Sequence, residues 1–259
     1  MARPAEFYRL YEGLPRQGPG SDELTLRALE AIGPLAPSPR VLDLGCGSGR
    51  QTLVLARALQ TRVVAVDNHA AFLEDLERRA AAASLGHLVE PVCADMGSYL
   101  DSSLSACSGP LAPPGGRFDL IWSEGAIYIL GFDEGLRTWR RWLAPGGRLV
   151  VSECSWLVDD PPAEIRSFWE AAYPTMGTIS VNCDIAHQAG FDVLDAFPLP
   201  ASAWWDYYRP LLARVDDLEP EARGNGVLAR AIAEVRQEVE LFERYGATYG
   251  YVFYLCRAR

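Results

Sequence analysis

The sequence predicts a doubly wound α/β fold built on a mostly parallel sheet, and three observations carry that prediction. Short apolar runs alternate with stretches of helical periodicity over residues 40–153. A glycine cluster follows the first run directly, where a buried strand would turn into a helix. The composition, 49% hydrophobic and 22% charged over 259 residues, suits one sizeable globular domain. Strand–helix alternation is the pattern of parallel strands joined by crossover helices.

Residues 40–44 (Arg-Val-Leu-Asp-Leu) read as the first strand, apolar and ending at glycine. A helix follows with Leu53, Ala56 and Leu59 on one face. Arg62–Asp67 reads as a second strand, and Phe72, Leu73, Leu76 and Ala80 recur at helical spacing after it. His87–Cys93 and Phe118–Ser123 are the third and fourth strands, separated by Asp101–Gly116, whose Ser, Pro and Gly content predicts an exposed loop. Leu136, Trp139 and Leu143 mark the next helix, expected to stop at Pro145-Gly146-Gly147, and Arg148–Glu153 is the fifth strand. Pro161–Tyr173 and Ser180–Ala189 are expected as helices, and Phe191–Phe197 as a sixth strand. A helical insertion near residues 200–220 precedes a long helix traced by Leu228, Ala231, Ile232, Val235, Val239 and Phe242. Tyr249–Leu255 is a strongly β-prone seventh run. The whole chain, 1–259, is expected to be a single domain.

Composition excludes several classes. No run approaches the roughly 20 apolar residues that span a bilayer. The start, MARPAEFYRLYEGL, lacks a basic segment followed by an apolar run, so no secretory signal is expected and a cytoplasmic protein is the default. Cys46, Cys93, Cys107, Cys154, Cys183 and Cys256 are scattered without a C-x-x-C pair, which argues against a disulfide framework or structural zinc. His69, His87 and His187 are dispersed and predict no metal site. With 34 acids against 24 bases, a net charge of −10 and no dense basic run, a nucleic-acid partner is disfavoured.

The most informative stretch is Val41-Leu42-Asp43-Leu44-Gly45-Cys46-Gly47-Ser48-Gly49. Glycines between a strand and a helix let backbone approach a ligand closely. The spacing is G-x-G-x-G, with Arg50 where the dinucleotide fingerprint needs a small residue, so that fingerprint is not met. Asp43 precedes the glycines by two residues; a carboxylate there would repel a pyrophosphate and favour a cationic ligand. Asp67 ends the second strand, 22 residues after Gly45, where an acid can accept from both ribose hydroxyls.

On these residues the chain resembles the class I S-adenosylmethionine-dependent methyltransferases. Cys93-Ala94-Asp95-Met96, Phe118-Asp119-Leu120-Ile121 and Leu143-Ala144-Pro145-Gly146-Gly147-Arg148-Leu149 resemble further motifs of that family. Arg16–Ser21, Trp122–Tyr128, Ser152–Trp156 and Glu243–Gly246 through Tyr254 are similar to a bacterial subgroup acting on small molecules, in which the Asp101–Gly116 loop would be shorter. The resemblance implies a seven-stranded sheet with an antiparallel C-terminal strand and helices on both faces. It also implies S-adenosyl-L-methionine as cofactor, S-adenosyl-L-homocysteine as product and a small-molecule methyl acceptor. Asp43, Gly45, Cys46 and Gly47 would hold the methionine part, Asp67 with Asn68 the ribose, and Asp95 with Met96 the adenine. Asp95-Met96 reads equally as a loop cap with a core methionine.

Residues 1–35 then form an N-terminal arm or lid, 36–155 the cofactor-binding core, and 156–259 the substrate-side helices and last strands. Arg16 on the arm is placed to meet the cofactor carboxylate, or is an ordinary surface arginine. Ligands of an open parallel sheet bind outside the carboxyl ends of its strands. Glu124 and Tyr128 follow the fourth strand there, and are the candidate catalytic residues that orient or deprotonate the acceptor. Glu124 could instead cap a turn or pair with an arginine. Glu153 at the end of the fifth strand could likewise orient or deprotonate an acceptor but reads rather as structural, and Trp156 after it faces the same place or is core. The aromatic group Trp204, Trp205, Tyr207 and Tyr208 is either core or an acceptor wall. An RNA or protein methyltransferase, and a non-catalytic binder of the same cofactor, remain as alternatives.

Overall fold

The computed structural model describes residues 4–99 and 117–259, so the loop expected at 101–116, with Cys107, lies outside the described residues. Seven strands form one sheet: β1 (Val41–Leu44), β2 (Val63–Asp67), β3 (Val89–Cys93), β4 (Phe118–Glu124), β5 (Leu143–Trp156), β6 (Phe191–Pro198) and β7 (Tyr249–Ala258), in the order β3-β2-β1-β4-β5-β7-β6. β1 to β5 pair in parallel, whereas β7 is antiparallel to both β5 and β6. Six strands therefore share one direction and β7 opposes them. The order reverses between β1 and β4, and that switch point is where an open α/β sheet leaves a crevice for ligands.

Helices cover both faces because the buried strands are apolar on both. Leu42, Leu44, Ile121 and Val151 pack against α5 (Phe132–Arg140) and α7 (Ile179–Gln188) through Leu136, Trp139 and Ala186. Val41, Ala65, Leu120, Trp122 and Val150 face α2 (Asp22–Ala31), α3 (Arg50–Leu59) and α4 (Ala70–Ala82), which contribute Ala28, Leu55, Leu73 and Leu76. Each such large side chain, taken fully out of water, contributes about 1.5 to 3 kcal/mol. The residues expected on one face of the second helix, Phe72, Leu73, Leu76 and Ala80, are all buried.

A third core lies beyond the sheet. α8 (Ala201–Ala222) and α9 (Gly226–Tyr245) pack on the start of β7 and on Leu10 and Leu14 of the N-terminal arm. The insertion expected near 200–220 is thus one continuous 22-residue helix with Pro210 and Pro220 inside it. Its Trp204 stacks on Phe242 of α9 at 4.6 Å, and Tyr208 is fully buried, so both of these aromatics are core. α6 (Ala163–Ala172) completes the helices on this side.

One boundary differs from expectation. α5 ends at Arg140 and not at Pro145, and Leu143 opens β5 opposite Phe118. The cause is pairing with a distant strand: the carbonyl of Trp142 already accepts from Phe118 N–H at 2.8 Å, so pairing to β4 begins before the prolyl turn. The turn is then absorbed as a register shift between Phe118 and Leu120.

β5 and β7 run past the end of the parallel strands as an antiparallel ribbon, with Glu153 opposite Val252, where β6 ends at Pro198, and Trp156 opposite Tyr249. A buried polar knot fixes it to α7: the Tyr254 hydroxyl and Ser155 Oγ lie 2.8 Å apart, and Asn182 Nδ2 donates to both at 3.0 and 3.1 Å. Leaving such groups unsatisfied in the interior costs about 1 to 3 kcal/mol. Tyr254→Phe is expected to lower stability by about that amount in urea unfolding monitored by tryptophan fluorescence; a loss under about 0.5 kcal/mol would mean the knot is not structural.

Candidate functional site

The site begins where β1 stops. Gly45 and Gly47 hold φ at +69° and +55°, a region L side chains rarely enter. A Cβ at Gly45 would stand 2.4 Å from that of Ala126, and one at Gly47 2.6 Å from Gln17 Oε1, so both positions are also closed by space. The N–H groups of Gly45 and Cys46 donate to Val66 O at 2.9 and 3.0 Å, and that of Gly47 to Asp67 Oδ2 at 2.9 Å. Cys46 is buried beneath the turn.

Asp43 lies deeper than expected. It is fully buried and accepts from Thr52 Oγ1 at 2.6 Å and Gln51 Nε2 at 3.4 Å. Burial pushes its carboxyl up to about 7, the Thr52 bond opposing the shift. These bonds brace α3 against β1 under the turn. The strand tip faces inward because Leu42, Asp43 and Leu44 are enclosed on both sides of the sheet.

Asp67, at the end of β2, is the acid at the surface of the site. Its Oδ2 takes Gly47 N–H and its Oδ1 takes His69 N–H at 2.9 Å, and partial burial raises its pKa despite these donors. A carboxylate has roughly four lone-pair positions, so acceptor capacity remains for a ligand hydroxyl. Asn68 beside it is exposed. Beyond β3, exposed Asp95 caps the next turn through Gly97 and Ser98 N–H at 3.0 Å each. Met96 is buried, its Sδ 3.5 Å from where a Gly45 Cβ would be. Asp95-Met96 thus has the form of a loop cap with a core methionine, set against the glycine turn.

The N-terminal arm lies across this end of the sheet. Tyr8, closing the short α1 (Ala5–Tyr8), stacks on His69 at 4.2 Å, and Glu12 meets His69 Nε2 at 2.9 Å. Arg79 of α4 donates to the carbonyls of Leu14 and Pro15 at 2.7 and 2.8 Å. Gln17 reaches the turn itself, its Oε1 accepting from Ser48 N–H at 2.8 Å. His69 and Arg79 carry no motif; only the fold brings them under the arm, and sequence reading missed them for that reason.

Two expected site residues have other partners. Glu124 accepts from Trp122 Nε1 at 2.9 Å, Thr25 Oγ1 at 2.8 Å and Arg16 Nη1 at 3.0 Å, with only 5% of its side chain exposed. Arg16 also meets Asp22 at 3.4 Å. Glu124 thus ties the arm and α2 to β4, and Arg16 points to it. Tyr128, the other candidate, sits on a turn at the surface, 42% exposed, with its ring edge-on to Tyr173 at 6.1 Å.

Comparison with known proteins follows this geometry. Residues 41–147 match the family model of a methyltransferase domain. The chain superposes on a methyltransferase from Geobacter sulfurreducens, solved with S-adenosyl-L-homocysteine, at a TM-score of 0.81 with 19% identity, covering 100% of both chains. The fold is that of a Rossmann-like methyltransferase. Sequence relatives of this methyltransferase fold include a trans-aconitate 2-methyltransferase of Variovorax paradoxus, 28% identical over 81% of this chain and 68% of its own. Another is phosphoethanolamine N-methyltransferase 1 of Arabidopsis thaliana, 26% identical over 66% of this chain and 32% of its own. The chain spans less than half the length of the first relatives it matches. Among the described residues, no helix of this methyltransferase fold is long and apolar enough to cross a membrane.

If Glu124 is a clamp, Glu124→Gln leaves the mostly buried Arg16 charge with only its longer contact to Asp22. Urea unfolding should then show a loss of about 2 to 3 kcal/mol, and limited proteolysis should cut residues 4–21 faster. Unchanged stability and an equally protected arm would return Glu124 to the list of reacting groups.

Proposed function

We propose that the protein transfers the methyl group of S-adenosyl-L-methionine to a small-molecule acceptor. The observation that carries this reading is the glycine turn at the switch point, hydrogen-bonded to Asp67 of β2 and backed by Met96 after β3. Backbone without Cβ atoms, an acid with spare acceptor capacity and an apolar wall fit the methionine, ribose and adenine parts of that molecule in turn. Gly45 and Gly47 would line the methionine part, Asp67 with Asn68 the ribose, and Asp95 with Met96 the adenine. When bound, the cofactor supplies a methyl group on a positively charged sulfur, which departs as the neutral thioether of S-adenosyl-L-homocysteine.

The chain's own contribution is to position and enclose. Gln17 and the His69 contacts hold the arm against the turn, which keeps water from the cofactor end of the crevice. No nucleophile–base pair is needed when the leaving group is already activated, so alignment of the acceptor supplies much of the rate. Relatives named for phosphoethanolamine and trans-aconitate, both small molecules, support a small acceptor. Arg50, which excluded the dinucleotide fingerprint, forms a two-bond pair with Asp22 at 2.8 Å and is structural.

Thermal unfolding with S-adenosyl-L-homocysteine tests the reading. At a hundredfold excess over Kd the ligand should add about 2.7 kcal/mol, raising the midpoint by roughly 5 to 10 °C. Asp67→Ala should remove most of that rise. A folded protein with no shift at saturating ligand would contradict the proposal.

A further inference from the structure

Three acids are fully buried among the described residues, and two have donors. Asp43 has Thr52 and Gln51, and Asp75 has Arg78 and Arg79. Glu153 is 1% exposed and neither of its oxygens has a hydrogen-bond partner. A buried carboxylate without donors is costly, because nothing replaces the water it has lost. A residue kept for packing alone would be served as well by leucine, so this acid points to a ligand that completes it.

Its position suits the acceptor. Gly45 abuts Ala126, and the adjoining Gly125 N–H donates to Ser152 Oγ at 2.8 Å. Glu153 is the next residue along β5, two strand spacings or roughly 10 Å from the glycine turn. On its face of the ribbon it shares a rung with Val252. The Tyr173 hydroxyl lies beside the carboxyl without a hydrogen bond of normal geometry, and the Tyr173 ring meets that of exposed Tyr128. Glu153, Tyr173 and Tyr128 thus form a path from the interior to the surface on the acceptor side of the sheet.

We propose that Glu153 receives the acceptor, and that the acceptor is a small amine arriving as its ammonium ion. The inference rests on the methyl-transfer reading above. An ammonium brings both things the carboxyl lacks, an N–H donor and a positive charge. The Tyr128 and Tyr173 rings offer faces that attract cations, and the net charge of −10 draws cations to the surface. An anionic acceptor would meet a buried acid that pairs with no arginine among the described residues. The proton balance is direct: the carboxylate takes one proton from R–NH3+, giving R–NH2 and the neutral acid, and frees the nitrogen lone pair for the methyl group. Desolvation, which pushes this carboxyl up to about 8, makes it a stronger base for that step than an exposed glutamate.

The test is calorimetric titration of the full chain saturated with S-adenosyl-L-homocysteine. The probes are N,N-dimethylethanolamine, protonated at neutral pH, and its uncharged carbon isostere 3-methylbutan-1-ol. The amine is expected to bind roughly tenfold or more tightly than the alcohol. Glu153→Gln, of equal size and neutral, is expected to erase that preference while leaving S-adenosyl-L-homocysteine affinity unchanged. Equal binding of the two probes, no binding of the amine, or a preference that survives in Glu153→Gln would overturn the inference. A wild-type chain that fails to bind S-adenosyl-L-homocysteine would instead bring down the methyl-transfer reading, and this inference with it.

Discussion

Four consecutive N–H groups leave the end of β1, and where they go decides the rest of the structure. Those of Gly45 and Cys46 go to Val66 O, that of Gly47 to Asp67 and that of Ser48 to Gln17. The first three lock the turn to the neighbouring strand, which fixes the width of the crevice at the switch point. The fourth fastens the N-terminal arm. Two glycines are required because the path needs positive φ and leaves no room for a Cβ. Asp43 holds the same turn from beneath through α3.

The acids at this end of the sheet divide by their donors. Asp43 and Glu124 accept from the hydroxyl, amide, indole and guanidinium groups of neighbouring side chains and brace the elements that carry them. Asp67 accepts from two backbone N–H groups, those of Gly47 and His69, and faces the turn. Glu153 has only the Tyr173 hydroxyl beside it, without a hydrogen bond of normal geometry. Counting donors ranks these residues in a way that sequence position does not, since Glu124 and Glu153 both sit near strand ends on the acceptor side. A buried carboxyl without partners is costly unless something binds it.

Much of the fold was legible because it follows from periodicity. The apolar runs became the seven strands, and the helical faces at Phe72–Ala80 and Leu228–Phe242 are buried as their spacing required. The exception at Pro145 arose because pairing with Phe118, a long-range event, overrode the local stop signal. Within the site, Gly45, Gly47 and Asp67 were legible since their spacing is local and their chemistry specific. Arg16 and Glu124 were each noticed, but their contact spans 108 residues and no local pattern encodes it. His69, Arg79 and Thr25 were missed for the same reason. Glu153 was noticed as an acceptor-side acid but weighed toward a structural role, because a sequence shows an acid without showing which donors surround it.

The central claim is that the turn, β2 end and arm act together as one cofactor site. Hydrogen–deuterium exchange with and without S-adenosyl-L-homocysteine tests that most directly. The account predicts added protection at residues 44–50, 67–69, 95–99 and along the arm at 8–20, with little change in the α8–α9 pair. Protection confined to other segments, or none at saturating ligand, would contradict it.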